Sequence, residues 1–187
     1  MYKSILLGLT LLICGCAPQY PTEANLNLQI KAQPPVYSDT SVFIQGHDAR
    51  GSEEVIVYLA KDQPPIKVDN MSPPHLLITE RLASALRDQG VTFENNADTR
   101  IFLEINELLV SVSRPKFLYT AEAKTNITLK VVKESTSLAK KYDRVATNES
   151  AKRPGVHQLE NMLNDQLSEI IAQILQDQDI RKAISSR

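Results

Sequence analysis

Side chains able to do chemistry are few in this chain of 187 residues. Two thiols, Cys14 and Cys16, stand one residue apart near the start, and no other cysteine follows. The three histidines, His47, His75 and His157, lie far apart, and none opens an H-x-x-x-H or C-x-x-C pattern of the kind that holds zinc. His47 falls in a run of turn residues and the other two near expected helix starts, where exposed imidazoles are common. The carboxylate pairs Glu53-Glu54 and Glu104/Glu107 are close only in sequence. Neighbouring residues of a strand point to opposite faces, so Glu53-Glu54 makes a poor acid–base pair. There is no G-x-S-x-G nucleophile turn and no glycine-rich phosphate loop. No metal and no cofactor are expected. The one local concentration of charge is basic: Lys140, Lys141, Arg144, Lys152 and Arg153, with Arg114 and Lys116 across an expected hairpin. It can be read as a patch for an anionic envelope ligand or as a strand edge guarded by lysine. The formal net charge of -1 gives no support to nucleic-acid binding.

The setting of the two cysteines gives them a meaning. Lys3 is followed by an apolar run from Ile5 to Ile13, interrupted by Gly8 and Thr10. The run is short of the roughly 20 apolar residues needed to span a bilayer and has the form of a secretory signal peptide. It ends in Ile13-Cys14-Gly15-Cys16, which resembles a bacterial lipobox. That resemblance implies cleavage after residue 15, acylation of Cys16 and, with Ala17 next to it, an outer-membrane destination. Several acyl chains on one cysteine hold a protein to a membrane without a transmembrane helix. The expected organisation is a signal peptide at 1–15, a lipidated cysteine and tether at 16–25, and one periplasmic domain at 26–187. The 172 residues left would carry 20 basic and 22 acidic side chains and no free thiol. Without a disulfide, the core alone must hold the fold, which is feasible at this length.

The elements that must position any site are read from periodicity. Strict alternation over Leu26–Ala32, Val42–Gly46 and Val55–Leu59 predicts strands, with Pro34-Pro35 and Pro64-Pro65 as stops. A further extended piece is expected at Ile66–Val68. Ser72-Pro73-Pro74 opens a helix with Ser72 as cap, and Gly90 closes it in the left-handed region. A short strand follows at Val91–Glu94. Ile101, Leu103 and Ile105 share one phase, and Leu108, Val110 and Val112 the other. That change predicts a β-bulge at Asn106-Glu107. Phe117 to Val131 alternates with one apolar and one polar face, the antiparallel signature, and Leu138–Asn148 should return beside it. A long amphipathic helix is expected from Val156 to about Ile174, with a short helical turn at Asp179–Ile184. The reading is α+β: an antiparallel sheet with two main helices packed on one face.

With lipobox, sheet and helices assigned, the chain resembles the YajG-type family of bacterial lipoproteins. The resemblance rests on Ile13-Cys14-Gly15-Cys16, the Ile78-to-Gly90 helix, the strand Phe117–Val131 preceded by Val110-Ser111-Val112-Ser113, and the closing Asp179-Ile180-Arg181-Lys182-Ala183-Ile184. It implies an outer-membrane lipoprotein of α+β fold and no catalytic residues. Thr79–Ala85 with Gly90-Val91 is superficially similar to the peptidoglycan-binding helix of OmpA-like domains, but Asp69-Asn70-Met71-Ser72 does not match the loop those domains require. The expectation is a non-enzymatic module that binds peptidoglycan or another envelope protein. The alternative is an envelope hydrolase with a site assembled from scattered residues, which would need a pocket joining His47 or His157 to a carboxylate or hydroxyl.

Overall fold

The computed structural model describes residues 23–185. The expected signal peptide, Cys14, Cys16 and tether residues 17–22 lie outside the described residues. Eight strands and three helices follow in order: β1 (Glu23–Ala24), β2 (Thr40–Asp48), β3 (Glu54–Ala60), β4 (Gln63–Asn70), α1 (Pro74–Asp88), β5 (Val91–Phe93), β6 (Thr99–Ser113), β7 (Tyr119–Lys133), β8 (Thr136–Ser150), α2 (Val156–Gln176) and α3 (Gln178–Ser185).

The spine is β6. It pairs antiparallel with β7 over its whole length, and β7 pairs antiparallel with β8. Its other edge is shared. The first half, Thr99 to Ile105, lies parallel to β2, and the second, Val110 to Val112, lies parallel to β3. Between the halves sits the expected bulge. Ile105 faces Ile127 and Glu107 faces Asn126, so Asn106 is the extra residue. Its side-chain amide donates to Thr128 Oγ1 at 2.8 Å. The extra residue keeps Ile101, Leu103, Ile105, Leu108, Val110 and Val112 all in the core despite their change of phase.

The eight-stranded sheet is mixed, which corrects the expectation of a purely antiparallel one. β1–β4, β2–β5, β2–β6 and β3–β6 are all parallel. Alternation within a strand says which face is buried, but nothing about the direction of its neighbour. The short helical turn expected at Asp179–Ile184 is α3, eight residues long. Four smaller expectations are corrected. Leu26–Ala32 is no strand: Leu26 and Leu28 are buried as the alternation required, yet the N–H groups where the segment begins go to side chains. Asn25 N donates to Glu160, Leu26 N to Asn70 and Asn27 N to Asn164, at 2.7, 3.0 and 2.9 Å. Pro64 and Pro65 fall inside β4, at a register shift opposite Tyr58/Ala60 where no ladder N–H is required of them. The α1 N-cap is Pro73, without a side-chain cap, instead of Ser72. Phe117 keeps the parity of the β7 core face but precedes the strand, in the hairpin loop, and is 85% exposed.

Two close approaches fix the helices. Gly46 of β2 has no room for a side chain: a Cβ there would strike Thr79 Oγ1 and come within 2.8 Å of the His75 carbonyl, both on α1. Gly90 takes φ +101° after α1, as its position predicted, with the Tyr37 carbonyl pressed against it. On α2, the buried Gln166 accepts from Thr125 Oγ1 at 2.7 Å and donates to the Ala123 carbonyl at 3.1 Å, so its amide is satisfied against β7. Leu159, Leu163, Leu167, Ile170 and Ile174 of α2 are buried in the common core.

Candidate functional site

Where β2 leaves β6 and β3 joins it, the sheet forks, and one side chain spans the gap. The Arg50 guanidinium donates to the Glu54 and Leu108 carbonyls at 3.1 and 3.0 Å and forms a two-pronged pair with the Asp48 carboxylate at 2.9 and 2.8 Å. Its side chain is only 5% exposed. Burial pushes the Asp48 carboxyl upward, but the Arg50 hydrogen bonds and charge outweigh it and hold the group below the usual value of 3.8. A cleft of about 640 Å³ opens beside this pair, lined by Glu53, Asp69, Asn70, Met71 and His75 among others. The Arg50 charge is directed into the protein's own backbone, and Ser52, which also lines the cleft, hydrogen-bonds the Glu54 carboxylate. Among the described residues no three His, Cys, Asp or Glu side chains gather closely enough to hold a metal. His157 pairs with Glu160 at 3.3 Å on the open surface of α2, and His47 lies exposed on β2.

The seven basic residues singled out in the sequence divide into two groups. Lys140, Lys141 and Arg144 lie on β8, which among the described residues pairs only with β7 and so forms an edge. Lys140 sits between Asp177 and Asp179, with N···O distances of 2.8 and 2.7 Å, and those hydrogen bonds raise its pKa. Asp177 also accepts from the N–H groups of Asp179 and Ile180, capping α3, and from Tyr142. Burial works to raise its pKa, and the Lys140 bond with those N–H groups lowers it further than burial raises it. Arg144 reaches Glu169 and Gln173 of α2, and Lys141 lies 3.7 Å from Asp143. As charged side chains on an unpaired edge, these three discourage pairing with another strand.

Arg114, Lys116, Lys152 and Arg153 come together elsewhere, at one end of the molecule. Three connections meet there: the β3–β4 turn, the β6–β7 hairpin and the segment from β8 to α2. Each arginine lies over a tyrosine. Arg153 is 4.0 Å from the Tyr58 ring centre and Arg114 is 5.0 Å from that of Tyr119. Arg114 Nε donates to the Phe117 carbonyl at 3.3 Å, and Tyr58 OH donates to the Pro154 carbonyl at 3.1 Å, tying the loops to the sheet. A groove of about 300 Å³ runs between the arginines, bounded by Leu59, Lys61, Pro64 and Ile66. Leu59, Ile66, Phe117 and Leu118 are exposed around it. The end can hold flat or anionic groups by charge, stacking and apolar contact.

Arg50, Tyr58, Lys61, Tyr119 and Asp177 escaped the sequence reading. The hairpin parity of Tyr119 and the turn at Lys61-Asp62 were available signals; nothing local marked Arg50, whose carbonyl partners lie 4 and 58 residues on.

No helix among the described residues is long and apolar enough to cross a membrane. A Xanthomonas campestris protein of the DUF330 family has a similar fold, with a TM-score of 0.59 at 11% identity over 82% of this chain and 92% of that one. A Caulobacter crescentus chain assigned as a lipoprotein matches at 15% identity, covering 71% of this chain and 92% of that one, with a TM-score of 0.43. No curated protein matches in sequence. A family model described as an uncharacterised lipoprotein matches residues 27–185, nearly all of the described structure. The chain therefore belongs to this lipoprotein family, the YajG family.

Proposed function

We propose that this chain is a lipid-anchored outer-membrane lipoprotein, acylated at Cys16 and facing the periplasm, that works by binding an envelope component and not by catalysis. The observation that carries the reading is the end where Arg114 and Arg153 stack on Tyr119 and Tyr58 beside exposed apolar side chains. Three other cations are turned inward: Arg50 in the fork, and Lys140 and Arg144 against α2 and the α2–α3 junction. In this reading α1 and α2 cover one face of the sheet. Register supports it, since Gly46 pairs with Leu103, Leu103 with Leu129, and Ala123 lies on the same side of β7 as Leu129. Gly46 meets Thr79 of α1, and Ala123 meets Gln166 of α2. With that face closed, the basic end stays open to meet a partner, whether peptidoglycan, another envelope protein or the membrane itself.

Two measurements in cells test this. Cys16→Ser should move the protein from the membrane to the soluble fraction; unchanged membrane association would refute the anchor. A photo-crosslinking residue at position 117 should capture an envelope component that one at position 134 does not. Equal capture at both positions would refute the assignment of the binding end.

A further inference from the structure

The occupant of this end follows from its charge, its apolar rim and the direction in which the chain enters the fold. Within residues 60–64, 114–118 and 151–155 there are five cations, Lys61, Arg114, Lys116, Lys152 and Arg153, and one carboxylate, Asp62. The nearest further carboxylate along the flanking strands is Glu149, on the rung of Thr120. Phe117 projects from the hairpin loop with Leu118 beside it, and Leu59 and Ile66 face solvent across the groove. A bulky aromatic ringed by lysine and arginine suits the boundary between lipid headgroups and acyl chains, where the ring enters apolar surroundings and the cations stay at the phosphates. The opposite end of the long strands is mixed in sign, with Asp39, Glu94, Asp98 and Glu134 beside Lys133 and Arg100.

Geometry brings the lipid to the same end. β1 runs parallel to β4, with Glu23 opposite Asp69. The N-terminal end of β1 therefore points toward the side of Gln63, where the β3–β4 turn joins the basic end. From Asp69 back to Gln63 is six residues of strand, about 20 Å. The seven residues from Cys16 to Glu23 reach at most about 25 Å. A lipid on Cys16 and the Phe117 loop can thus occupy one membrane plane.

We infer that the β6–β7 hairpin loop and its basic rim dock on an anionic lipid surface, so that the domain rests end-on against the membrane that holds its anchor. This rests on the proposed acylation of Cys16 and goes beyond it, because a lipid tether alone sets no orientation. Acylation also leaves an introduced cysteine as the single free thiol. The test uses the full acylated protein reconstituted in vesicles of phosphatidylethanolamine and phosphatidylglycerol at 3:1, with an environment-sensitive fluorophore on Phe117→Cys or Glu134→Cys. The two positions stand about 45 Å apart along β7.

The label at 117 should be quenched by lipids brominated in their acyl chains, and the label at 134 should not. Replacing phosphatidylglycerol with phosphatidylcholine should reduce the quenching at 117 at least threefold, as should Lys116→Glu combined with Lys152→Glu. Protein that floats with the vesicles but shows no quenching at 117, or equal quenching at 134, overturns docking while leaving the anchor intact. Quenching that is indifferent to lipid charge overturns the anionic surface. Failure to float overturns the anchor and the docking with it. Cosedimentation with purified sacculi that the charge reversals abolish, in protein unquenched at 117, would assign the end to peptidoglycan instead.

Discussion

The fork and the basic end hold arginines of identical chemistry put to opposite uses. At the fork, Arg50 turns its donors inward onto two backbone carbonyls and the Asp48 carboxylate and is almost wholly covered. At the end, Arg114 and Arg153 lie across tyrosine faces beside a groove open to solvent. The carbonyls at the fork exist because β6 cannot pair with β2 and β3 at the same residues, and the bulge leaves a gap between them. A cation there completes the sheet. Rings at the end hold the guanidinium groups flat beside the groove, next to exposed apolar side chains. Two arginines of the same formal charge therefore differ in what losing them should do.

The contrast is broken most directly by removing the buried member. Arg50→Ala should cost about 3–5 kcal/mol, because it strands the Asp48 carboxylate and two carbonyls in a covered site. Thermal or urea unfolding reads this, and a wild-type midpoint would show that the fork needs no cation. Acid gives the next largest effect. Asp48 and Asp177 titrate lower in the folded protein than their usual 3.8, so their contribution is complete above that value and is lost as pH falls through the lowered one. Melting temperature should be level with respect to these two groups at neutral pH and fall below about pH 4; Asp48→Asn should be less stable at pH 7 and show a shallower acid decline. Arg153→Ala should be milder, about 1 kcal/mol from the lost stacking on Tyr58, with vesicle docking weakened more than stability. Smallest of all, Phe117→Ser should leave the unfolding free energy within about 0.5 kcal/mol of wild type while reducing association with anionic vesicles. If Phe117→Ser instead unfolds the protein, the loop belongs to the core and the contrast fails.

Features written within one stretch of chain were legible. The bulge at Asn106 shows as a phase change between Ile105 and Leu108. Gly90 follows the Ile78–Leu86 stripe at the place where a left-handed residue is needed, and the leucine and isoleucine spacing of α2 gave its buried stripe. What depends on distant partners was not legible. The parallel pairing of Ile44 with Ile101 leaves no mark on either strand. Leu26 and Leu28 alternate like a strand, yet the N–H groups of Asn25, Leu26 and Asn27 go to Glu160, Asn70 and Asn164, far along the chain. The basic cluster was visible as composition, but separating Lys140 and Arg144 from Arg114 and Arg153 required knowing that Asp177 and Glu169 come back to meet the first pair. Phe117 kept the right parity and missed the strand by two residues, and that offset is what leaves it in solvent.

The seating of residues 23–28 has a mechanical consequence. A pull on the chain ahead of Glu23, directed toward the Gln63 end, lies along the β1 axis. The β1–β4 bonds are then loaded together in shear and do not open one at a time as in a zipper. The side-chain clasps from Asn70, Glu160 and Asn164 fasten the following residues to both β4 and α2, with Ala24, Leu26 and Leu28 buried beneath them. Tension on a tether would thus be shared between a strand and a long helix, and the fold would resist drag at the point where it is held.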